Sequence, residues 1–270
     1  NVLFHLAAQP LVSKSFEDPI ETFNSNIIGT SNVLNSIKHQ HSLKSVVIIT
    51  TDKVYEIKKK NKIYNESDIL GGKDPYSTSK VCAELITNSY NQSFFKNNFL
   101  KNKVSTARSG NVIGGGDYSE NRLIPDIINS LNTKKSLILR NPNHIRPWQH
   151  VIEPLFGYLK LAKLQFITRK LHDHATWNFG PNKKSSVKVI KIVNFIKKSH
   201  RIKIKIKKKQ NFFETKILKL NSNKAKKYLN WYPYWNLNKS INSVLEWNKL
   251  YKKTKNAKKI CESQILDYFR

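Results

Sequence analysis

Cysteine and long apolar runs are scarce in this chain of 270 residues, and each scarcity excludes a class of protein. The two cysteines, Cys82 and Cys261, have no C-x-x-C neighbour, which excludes a disulfide framework and suits a reducing compartment. No signal peptide is evident, and no apolar run is long enough to cross a bilayer. We therefore expect a soluble, cytoplasmic protein without a membrane partner.

Acidic residues are also scarce, since 18 of them accompany 48 lysine and arginine residues for a net charge of +30. Residues 183–270 hold most of this excess, with 25 basic and 4 acidic side chains, a net charge of +21. Such a segment would suit nucleic acid or an anionic membrane surface. Its lysine runs, however, lie among Ile, Asn and Tyr without an aromatic stacking platform. We favour solvated surface lysines and do not expect nucleic acid as a partner.

Strand and helix patterns alternate along the first half of the chain. Continuous apolar runs predict buried strands at 2–8, 44–50 and 103–109. Apolar residues at helical spacing predict helices from Asp18 to Ile37 and from Tyr76 to Phe95. This order predicts an α/β fold with a doubly wound parallel, Rossmann-like sheet. Ligands of such sheets lie at the carboxyl ends of the strands, where "AAQP", "TTDK" and "RSGN" fall.

The second half predicts a smaller α+β lobe. We expect a Rossmann-like remainder over 1–135 and the lobe mainly over 136–270, interleaved with an approximate boundary. Short strands are predicted at 137–141, 176–181 and 201–209, and helices at 124–132, 151–164, 186–199, 222–229 and 238–253.

"DPYSTSKVCAEL" at 74–85 places Tyr76 and Lys80 on one face of a predicted helix. A phenol with a pKa of about 10 is a poor base at neutral pH unless a nearby cation stabilises the phenolate. Thr51, at the end of the preceding strand, offers a hydroxyl to orient the substrate oxygen. The pair by itself also fits a helix that begins with an aromatic residue and carries a surface lysine.

Further motifs at the strand ends resolve that ambiguity. "HLAAQP", Asn26 to Thr30 (N-x-x-G-T), "TTDKVYE", "DPYSTSK" and "RSGNVIGGGD" follow one another in the order and spacing of the extended short-chain dehydrogenase/reductases. The chain resembles that family. Within it, "RLIPDII", "RNPNHIRPWQHVIEPLFGYL", "WNFGP" and "LNSNKAKKYLNWYP" are similar to the CDP-glucose 4,6-dehydratases, and "NPNHIRPWQHV" is the most specific block. The resemblance covers nearly all 270 residues.

The resemblance implies a lyase with tightly bound NAD that acts in deoxysugar and surface-polysaccharide biosynthesis. CDP-glucose is oxidised at C4, loses water across C5–C6 and regains the hydride at C6, which gives a 4-keto-6-deoxy sugar. Carried over by position, Tyr76 takes the O4 proton, and Lys80 lowers the pKa of Tyr76 and holds the nicotinamide ribose. Thr51 hydrogen-bonds the reacting hydroxyl, and Asp52 protonates the departing C6 hydroxyl. A homo-oligomer, dimer or tetramer, is also implied.

Lys53 separates subgroups within that resemblance, since the dTDP-glucose enzymes carry Glu there as the base for the C5 proton. Lys53 is similar to the CDP-glucose subgroup. A neutral Lys53 would remove a C5 proton that the C4 ketone has acidified, whereas a charged Lys53 would stabilise the enolate. An exposed strand-end lysine without either role is the third interpretation.

The binding assignments implied by the resemblance are coarser. Cofactor contacts are predicted for Leu6, Ala7, Ala8, Asn26 and Thr50, together with Tyr76 and Lys80, although Ala7 and Ala8 also suit close helix–strand packing. Substrate contacts are predicted for Asn111, Arg122, Arg140, Arg146 and His150. Arginine suits a diphosphate because its planar fork binds bidentately. A histidine at a helix start, as predicted for His150, is often structural.

Glycine is missing where the resemblance requires it. The family begins with a strand, a G-x-x-G-x-x-G turn and a helix, and no such arrangement occurs here. The chain also opens without Met on an apolar run. We therefore expect two βα units to be missing from the amino terminus. A full-length parent is expected to be an enzyme, and whether this segment is active alone stays open.

Other candidate sites are weaker. His172 and His174 lie two apart with no third metal ligand evident, so no metal is expected. Cys82 on the Tyr76 helix suits buried packing. "GGGD" at 114–117 lacks a Walker lysine and is predicted to be a turn near the sugar. No G-x-S-x-G elbow supports a hydrolase.

Two alternative functions stay open at this point. A nucleotide-sugar 4-epimerase of the same fold also uses Thr51, Tyr76 and Lys80, but it does not need the Asp52–Lys53 pair. A non-catalytic fragment could instead bind nucleic acid or an acidic polymer through residues 183–270, and a steep salt dependence of DNA binding would reveal it.

Overall fold

A computed structural model describes residues 1–57, 62–168, 175–207 and 218–270. Within them the chain divides into two compact units that interleave along the sequence. The first unit comprises residues 1–110, 154–180 and 219–232, and the second comprises 111–153, 181–218 and 233–270. The domain boundary near residue 135 stays a prediction.

The described strands and helices are numbered here in chain order. The strands are β1 (Val2–His5), β2 (Ser45–Ile49), β3 (Val104–Ser109), β4 (Val112–Ile113), β5 (Leu137–Leu139), β6 (Ile145–Pro147), β7 (Gln149–His150), β8 (Thr176–Phe179), β9 (Ser186–Lys188) and β10 (Ile204–Ile206). The helices are α1 (Val12–Glu17), α2 (Pro19–Phe23), α3 (Gly29–Ser36), α4 (Pro75–Tyr90), α5 (Leu123–Thr133), α6 (Ile152–Ile167), α7 (Val189–Lys197), α8 (Asn223–Leu229), α9 (Leu237–Thr254) and α10 (Ala257–Tyr268).

The first unit is built on a four-stranded parallel sheet with the strand order β1-β2-β3-β8. Residues of β2 such as Val46, Val47 and Ile48 are fully buried, because a parallel sheet is covered on both faces. The predicted strands at 2–8, 44–50 and 103–109 are therefore confirmed as parallel, adjacent in the order β1-β2-β3, but the first of them ends at His5 and is not fully buried. Their carboxyl ends lie on one edge of the sheet.

The sequence sets where the helices of the first unit begin. At the start of α4, Asp74 accepts hydrogen bonds from the Ser77 backbone N–H at 2.9 Å and the Ser77 hydroxyl at 2.6 Å, and Pro75 follows this cap. Asp18 caps α2 in the same way. The predicted helix from Asp18 to Ile37 contains a π-helical turn over Asn24–Ile28 between α2 and α3, and a second π turn follows α4 over Asn91–Phe95.

The second unit has an apolar core made mainly by helices. Ile127 on α5, Val193 on α7 and Val244 on α9 are almost fully buried there, together with Leu137 on β5. These helices match the predicted segments, except that β9 occupies the beginning of the segment predicted as helix at 186–199. In the predicted strand at 201–209, β10 occupies 204–206, Ile206 is 65 % exposed, and 208–209 lie outside the described residues.

Helix α10 is absent from the sequence predictions and is tied to a buried carboxylate. Glu153 accepts hydrogen bonds from the Tyr268 hydroxyl at 2.6 Å and from the backbone N–H groups of Trp235 and Tyr234 at 2.6 and 3.1 Å. Its side chain is fully buried, and burial raises its pKa. This carboxylate fixes the end of α10 to the segment that precedes α9.

The "GGGD" segment is a turn after β4, as predicted, and a tryptophan requires its glycines. A Cβ at Gly115 would lie 2.1 Å from the Trp247 ring, and Gly116 has a φ of +78°, which favours glycine. Among the helices described, none is long and apolar enough to span a bilayer.

Candidate active site

The end of β2 carries the predicted catalytic triplet Thr51, Asp52 and Lys53. Thr51 is extended, and its hydroxyl donates to Asp52 Oδ1 at 3.2 Å and accepts from the Lys53 backbone N–H at 3.4 Å. Asp52 is 2 % exposed, whereas Lys53 is partly exposed. The short 3-10 turn over Asp52–Val54 thus keeps a buried carboxyl and a more accessible amine in consecutive positions.

The buried face of α4 carries Tyr76 and Lys80, both nearly buried at 8 % and 6 % exposure. The Lys80 ammonium donates to the carbonyl of Ile49, the last residue of β2, at 3.2 Å. Burial lowers the pKa of Lys80 to about 8, and the Glu84 carboxylate opposes that shift. Lys53 Nζ lies over the Tyr76 ring, 5.9 Å from its centroid. The first unit therefore brings Tyr76, Lys80 and Lys53 together beside the end of β2.

The segment after β1 is joined to α4 through Asn26. The Asn26 side chain accepts from the Gln9 backbone N–H at 2.8 Å, donates to the Gln9 carbonyl at 3.0 Å and donates to the Ser79 hydroxyl at 2.9 Å. Asn26 is 1 % exposed. In this arrangement it links two parts of the site, and its contact with NAD stays a prediction.

The residues between β1 and Gln9 leave the main chain accessible. Leu6 is 50 % exposed, Ala7 is exposed and Ala8 is partly exposed. The exposure of Ala7 favours the approach of a ligand over close helix–strand packing. His5, at the end of β1, lies 3.3 Å from the Thr30 hydroxyl, and burial and the neighbouring Lys80 charge lower its pKa.

A buried ion pair below this site was missed by the sequence analysis. Arg108 on β3 binds Glu84 on α4 through Nη2 at 2.7 Å and Nε at 2.8 Å. Glu84 also accepts hydrogen bonds from the hydroxyls of Thr50 at 2.6 Å and Thr106 at 3.0 Å. The Thr50 hydroxyl is therefore engaged by Glu84, and its predicted contact with NAD stays a prediction. The signals in the sequence were a charged residue inside the buried strand β3 and a second one on the buried face of α4.

The network extends beyond the ion pair through Tyr55. Its hydroxyl accepts from Arg108 Nη1 at 2.8 Å and donates to Asn178 Oδ1 on β8 at 2.7 Å. The Asn178 backbone N–H donates to Glu66 at 3.0 Å. Burial raises the pKa of Tyr55 and of Glu66. Both side chains are therefore held in their neutral forms more readily than in water.

Three predicted substrate residues of the second unit lie at ends of its elements. Arg122 occupies the N-cap position of α5 without a side-chain capping bond and donates to Asp117 at 3.3 Å. Arg140 follows β5 and donates to the side chain of Asn121. Asn111 precedes β4, and its carbonyl accepts from the Gln149 backbone N–H at 3.1 Å. Because these arginines are partly exposed, they keep donors available to a ligand.

The specific block 141–151 is less accessible. Arg146 on β6 is 7 % exposed. Its Nη1 donates to the Ile145 carbonyl at 3.0 Å, and its Nη2 lies 3.2 Å from His144 Nδ1. His150 lies on β7 and not at a helix start; its Nδ1 accepts from the Ile152 backbone N–H at 3.3 Å, and its ring packs on Trp235. Burial lowers the pKa of His150 to about 4, so the ring is neutral at pH 7.

The remaining candidates add no chemistry. Within the part of the chain that the structure describes, no group of three His, Cys, Asp or Glu side chains could hold a metal. His172 and His174 lie outside the described residues. Cys82 is partly buried on α4, and Cys261 accepts a hydrogen bond from Trp247 Nε1 at 3.3 Å.

Comparisons with known proteins agree with this geometry. The family model for GDP-mannose 4,6 dehydratase matches residues 1–244. A CDP-glucose 4,6-dehydratase of Salmonella typhimurium is 39% identical over 99% of this chain and 76% of its own length.

Solved structures share the fold. One is a UDP-glucuronic acid 4-epimerase from Bacillus cereus in complex with UDP-glucuronic acid and NAD, with a TM-score of 0.80 and 20% identity over 92% of this chain and 75% of that one. Another is a dTDP-glucose 4,6-dehydratase from Bacillus anthracis in complex with NAD, with a TM-score of 0.74 and 23% identity over 95% of this chain and 74% of that one. The family match and the parallel sheet with its strand-end site lead to one conclusion: the chain belongs to the GDP-mannose 4,6-dehydratase family.

Proposed function

We propose that the chain catalyses the NAD-dependent dehydration of CDP-glucose to CDP-4-keto-6-deoxyglucose. The observation that carries the proposal is the 39% identity to a CDP-glucose 4,6-dehydratase over 99% of the chain. The proposal is supported by the positions of the predicted catalytic residues, since Thr51, Asp52 and Lys53 directly follow β2 and Tyr76 and Lys80 lie on the buried face of α4.

The segment after β1 fits a dinucleotide. Leu6 and Ala7 are exposed there, so a ligand can approach their main chain. Asn26 and Lys80 lie on the elements joined to this segment. When bound, NAD supplies a hydride acceptor for C4 and later a hydride donor for C6.

The side chains of this chain then move the protons. Tyr76 takes the proton from O4 as C4 is oxidised, and the Lys80 ammonium stabilises the phenolate that forms. The Thr51 hydroxyl donates to the reacting oxygen and orients it. These three residues suffice for oxidation at C4, which epimerases of this fold also perform.

The elimination requires two further groups. Asp52 gives its proton to the C6 hydroxyl as that hydroxyl leaves as water, and burial keeps bulk water from competing for the proton. Lys53, whose Nζ lies close to the Tyr76 ring, either removes the C5 proton and returns it to C5 when the hydride reaches C6, or stays an ammonium that stabilises the enolate while solvent takes that proton and later returns it. In the second unit, Arg122, Arg140 and Arg146 would bind the diphosphate, with Asn111 and His150 as neighbouring substrate contacts.

Assembly and location belong to the same proposal. Leu85 on α4 and Leu155 and Leu159 on α6 are large apolar side chains that are exposed in the single chain, which supports a homo-oligomer. The cysteines of the described residues are free, which supports a reducing cytoplasm.

The test is product analysis with the full chain as its gene encodes it. Incubation with NAD and CDP-glucose should give a 4-keto-6-deoxy sugar that absorbs in alkali, and dTDP-glucose should be a poor substrate. If the product is the C4 epimer, the chain is an epimerase and the proposed dehydratase activity is wrong. Equal rates with CDP-glucose and dTDP-glucose would show that Lys53 and "NPNHIRPWQHV" do not identify the CDP-glucose subgroup.

A further inference from the structure

The Glu84 carboxylate occupies an unusual position for a charged group. Its side chain and that of its partner Arg108 are only 4 % and 3 % exposed, and they are joined by a two-point ion pair at 2.7 and 2.8 Å. The hydroxyls of Thr50 and Thr106 donate to the same carboxylate. A buried charge with this many donors is well satisfied, although a pair of apolar side chains would fill the space at lower cost.

Glu84 lies one helical turn after Lys80, on the same buried face of α4. Lys80 donates to the carbonyl of Ile49, and Glu84 accepts from the hydroxyl of Thr50. Two successive turns of α4 are thereby fastened to two successive residues at the end of β2. Thr51 follows directly, so the same fastening sets the position of Tyr76 and Lys80 relative to the catalytic strand end.

The charged groups near Lys80 influence whether its amine is protonated. Burial favours the neutral amine, and the Glu84 carboxylate is the neighbour whose charge raises the pKa of Lys80 against that trend. The charge of Lys80 also lowers the pKa of His5 on β1. Tyr76 lies on the same helix as Lys80, and Lys53 Nζ lies over the Tyr76 ring. A neutral Lys80 would withdraw the cation that makes Tyr76 a base.

We infer that Glu84 is a positioning residue of the reaction, which keeps the Lys80 ammonium charged beside Tyr76, and that Arg108 holds the Glu84 carboxylate for this purpose. The inference rests on the proposed function, because the charge of Lys80 serves catalysis only if Tyr76 is the base. It goes further, since it assigns a purpose to an ion pair that lies outside the predicted catalytic and binding residues.

The first test is the pH profile of turnover in Glu84→Gln, measured with CDP-glucose and NAD. In the wild type the alkaline limb should fall near the pKa of Lys80, about 8. In Glu84→Gln this limb should move to lower pH, and each unit of displacement lowers the rate above the limb about tenfold. A change in overall rate with the limb unmoved would show that the pair is only structural and would overturn the inference.

The second test needs no turnover. Unfolding by urea between pH 6 and pH 10 reports the titration of Lys80 in the chain without ligand, through the difference between wild type and Lys80→Met. Glu84→Gln should move this titration to lower pH, and it should add no pH dependence in the Lys80→Met background. Effects of the two substitutions that simply add at every pH would contradict the inference.

A control variant and a double variant complete the two tests. Glu153→Gln removes an equally buried carboxylate of the second unit, and it should leave the alkaline limb where it is. If Glu84→Gln does not fold because Arg108 loses its partner, the double variant Glu84→Gln/Arg108→Gln removes both charges and should show the same displaced limb. If the wild type turns over no CDP-glucose, the proposed function fails, and the unfolding experiment still decides whether Glu84 keeps Lys80 charged.

Discussion

In the first unit, Lys80, Glu84 and Arg108 are all buried beneath the ends of the parallel strands, whereas Arg122 of the second unit keeps 40 % of its side chain exposed. The buried groups have fixed partners at hydrogen-bond distance. Arg122 shares a single 3.3 Å contact with Asp117, itself 26 % exposed. The first unit thus holds these charges buried in a fixed arrangement, while the second unit leaves Arg122 and Arg140 partly exposed to water and buries Arg146.

The two arrangements suit different tasks. Proton transfer needs groups held in one geometry with shifted proton affinities, and burial provides both. Binding a flexible diphosphate needs donors that are free to turn toward it, and partial exposure leaves them that freedom. Five substitutions test this contrast.

Tyr76→Phe should have the largest effect, because it removes the proton acceptor itself. Turnover should fall by about 10²–10⁴-fold, the usual result of losing a general base. Loss of one hydroxyl from a cleft-facing ring should leave the fold intact. Steady-state kinetics and a thermal unfolding curve of the same preparation check both statements, and near-normal turnover would show that "DPYSTSKVCAEL" is only a capped helix.

Arg108→Met should destabilise the chain by about 3–5 kcal/mol, because it leaves the Glu84 carboxylate buried without its cation. Arg122→Met should cost less than about 1 kcal/mol, since that pair is exposed to solvent, and should act instead by raising KM. Urea unfolding of both variants gives the comparison directly. Equal losses of stability would mean that burial does not distinguish the two units.

Lys80→Met should change how stability depends on pH. Burial lowers the pKa of Lys80 from the ordinary 10.5 to about 8, so between these values the unfolded chain binds the extra proton. Stability of the wild type should therefore rise with pH from about 8 to about 10.5, by about 3 kcal/mol. The variant should lack this rise when unfolding is followed across that range. A wild-type curve parallel to that of the variant would rule out a depressed pKa.

Gly115→Ala should have a smaller effect than Tyr76→Phe, Arg108→Met or Lys80→Met, and its effect should be confined to the second unit. The new Cβ would meet the Trp247 ring at 2.1 Å, and moving that ring should cost about 1–3 kcal/mol. Fluorescence of the tryptophans during unfolding reports the loss. If Gly115→Ala is as stable as the wild type, the turn can move away from Trp247, and the described packing is not required.

Much of the first unit was predictable from local signals. The apolar runs of β1, β2 and β3 indicate buried parallel strands, and Asp74 followed by Pro75 indicates the start of α4. The predicted catalytic residues lie at a strand end and on one helix face, where residues that are close in the sequence are also close in space. The resemblance to a known family then supplied their roles.

Long-range polar pairs were beyond that approach. Glu84 and Arg108 are 24 residues apart, and Tyr55 and Asn178 are 123 apart, so neither pair has a spacing that indicates contact. Helix α10 was missed because its position depends on Glu153, 115 residues before Tyr268. The short strands of the second unit are two or three residues long, which is too short for an alternating pattern to be recognised.

The π-helical turn at Asn24–Ile28 keeps the buried residues before and after it on the same side of the helix. Thr22, Asn26, Thr30 and Leu34 are all buried although they are spaced four residues apart. On a continuous α-helix such positions would drift around the axis by about 40° at each step, which would turn the last of them away from the sheet. Each residue of a π turn rotates less about the helix axis than a residue of an α-helix, so the π turn reduces this drift. On a regular α-helix Asn26 and Leu34, which are eight residues apart, would point about 80° away from each other, so the π turn is what lets both side chains be buried.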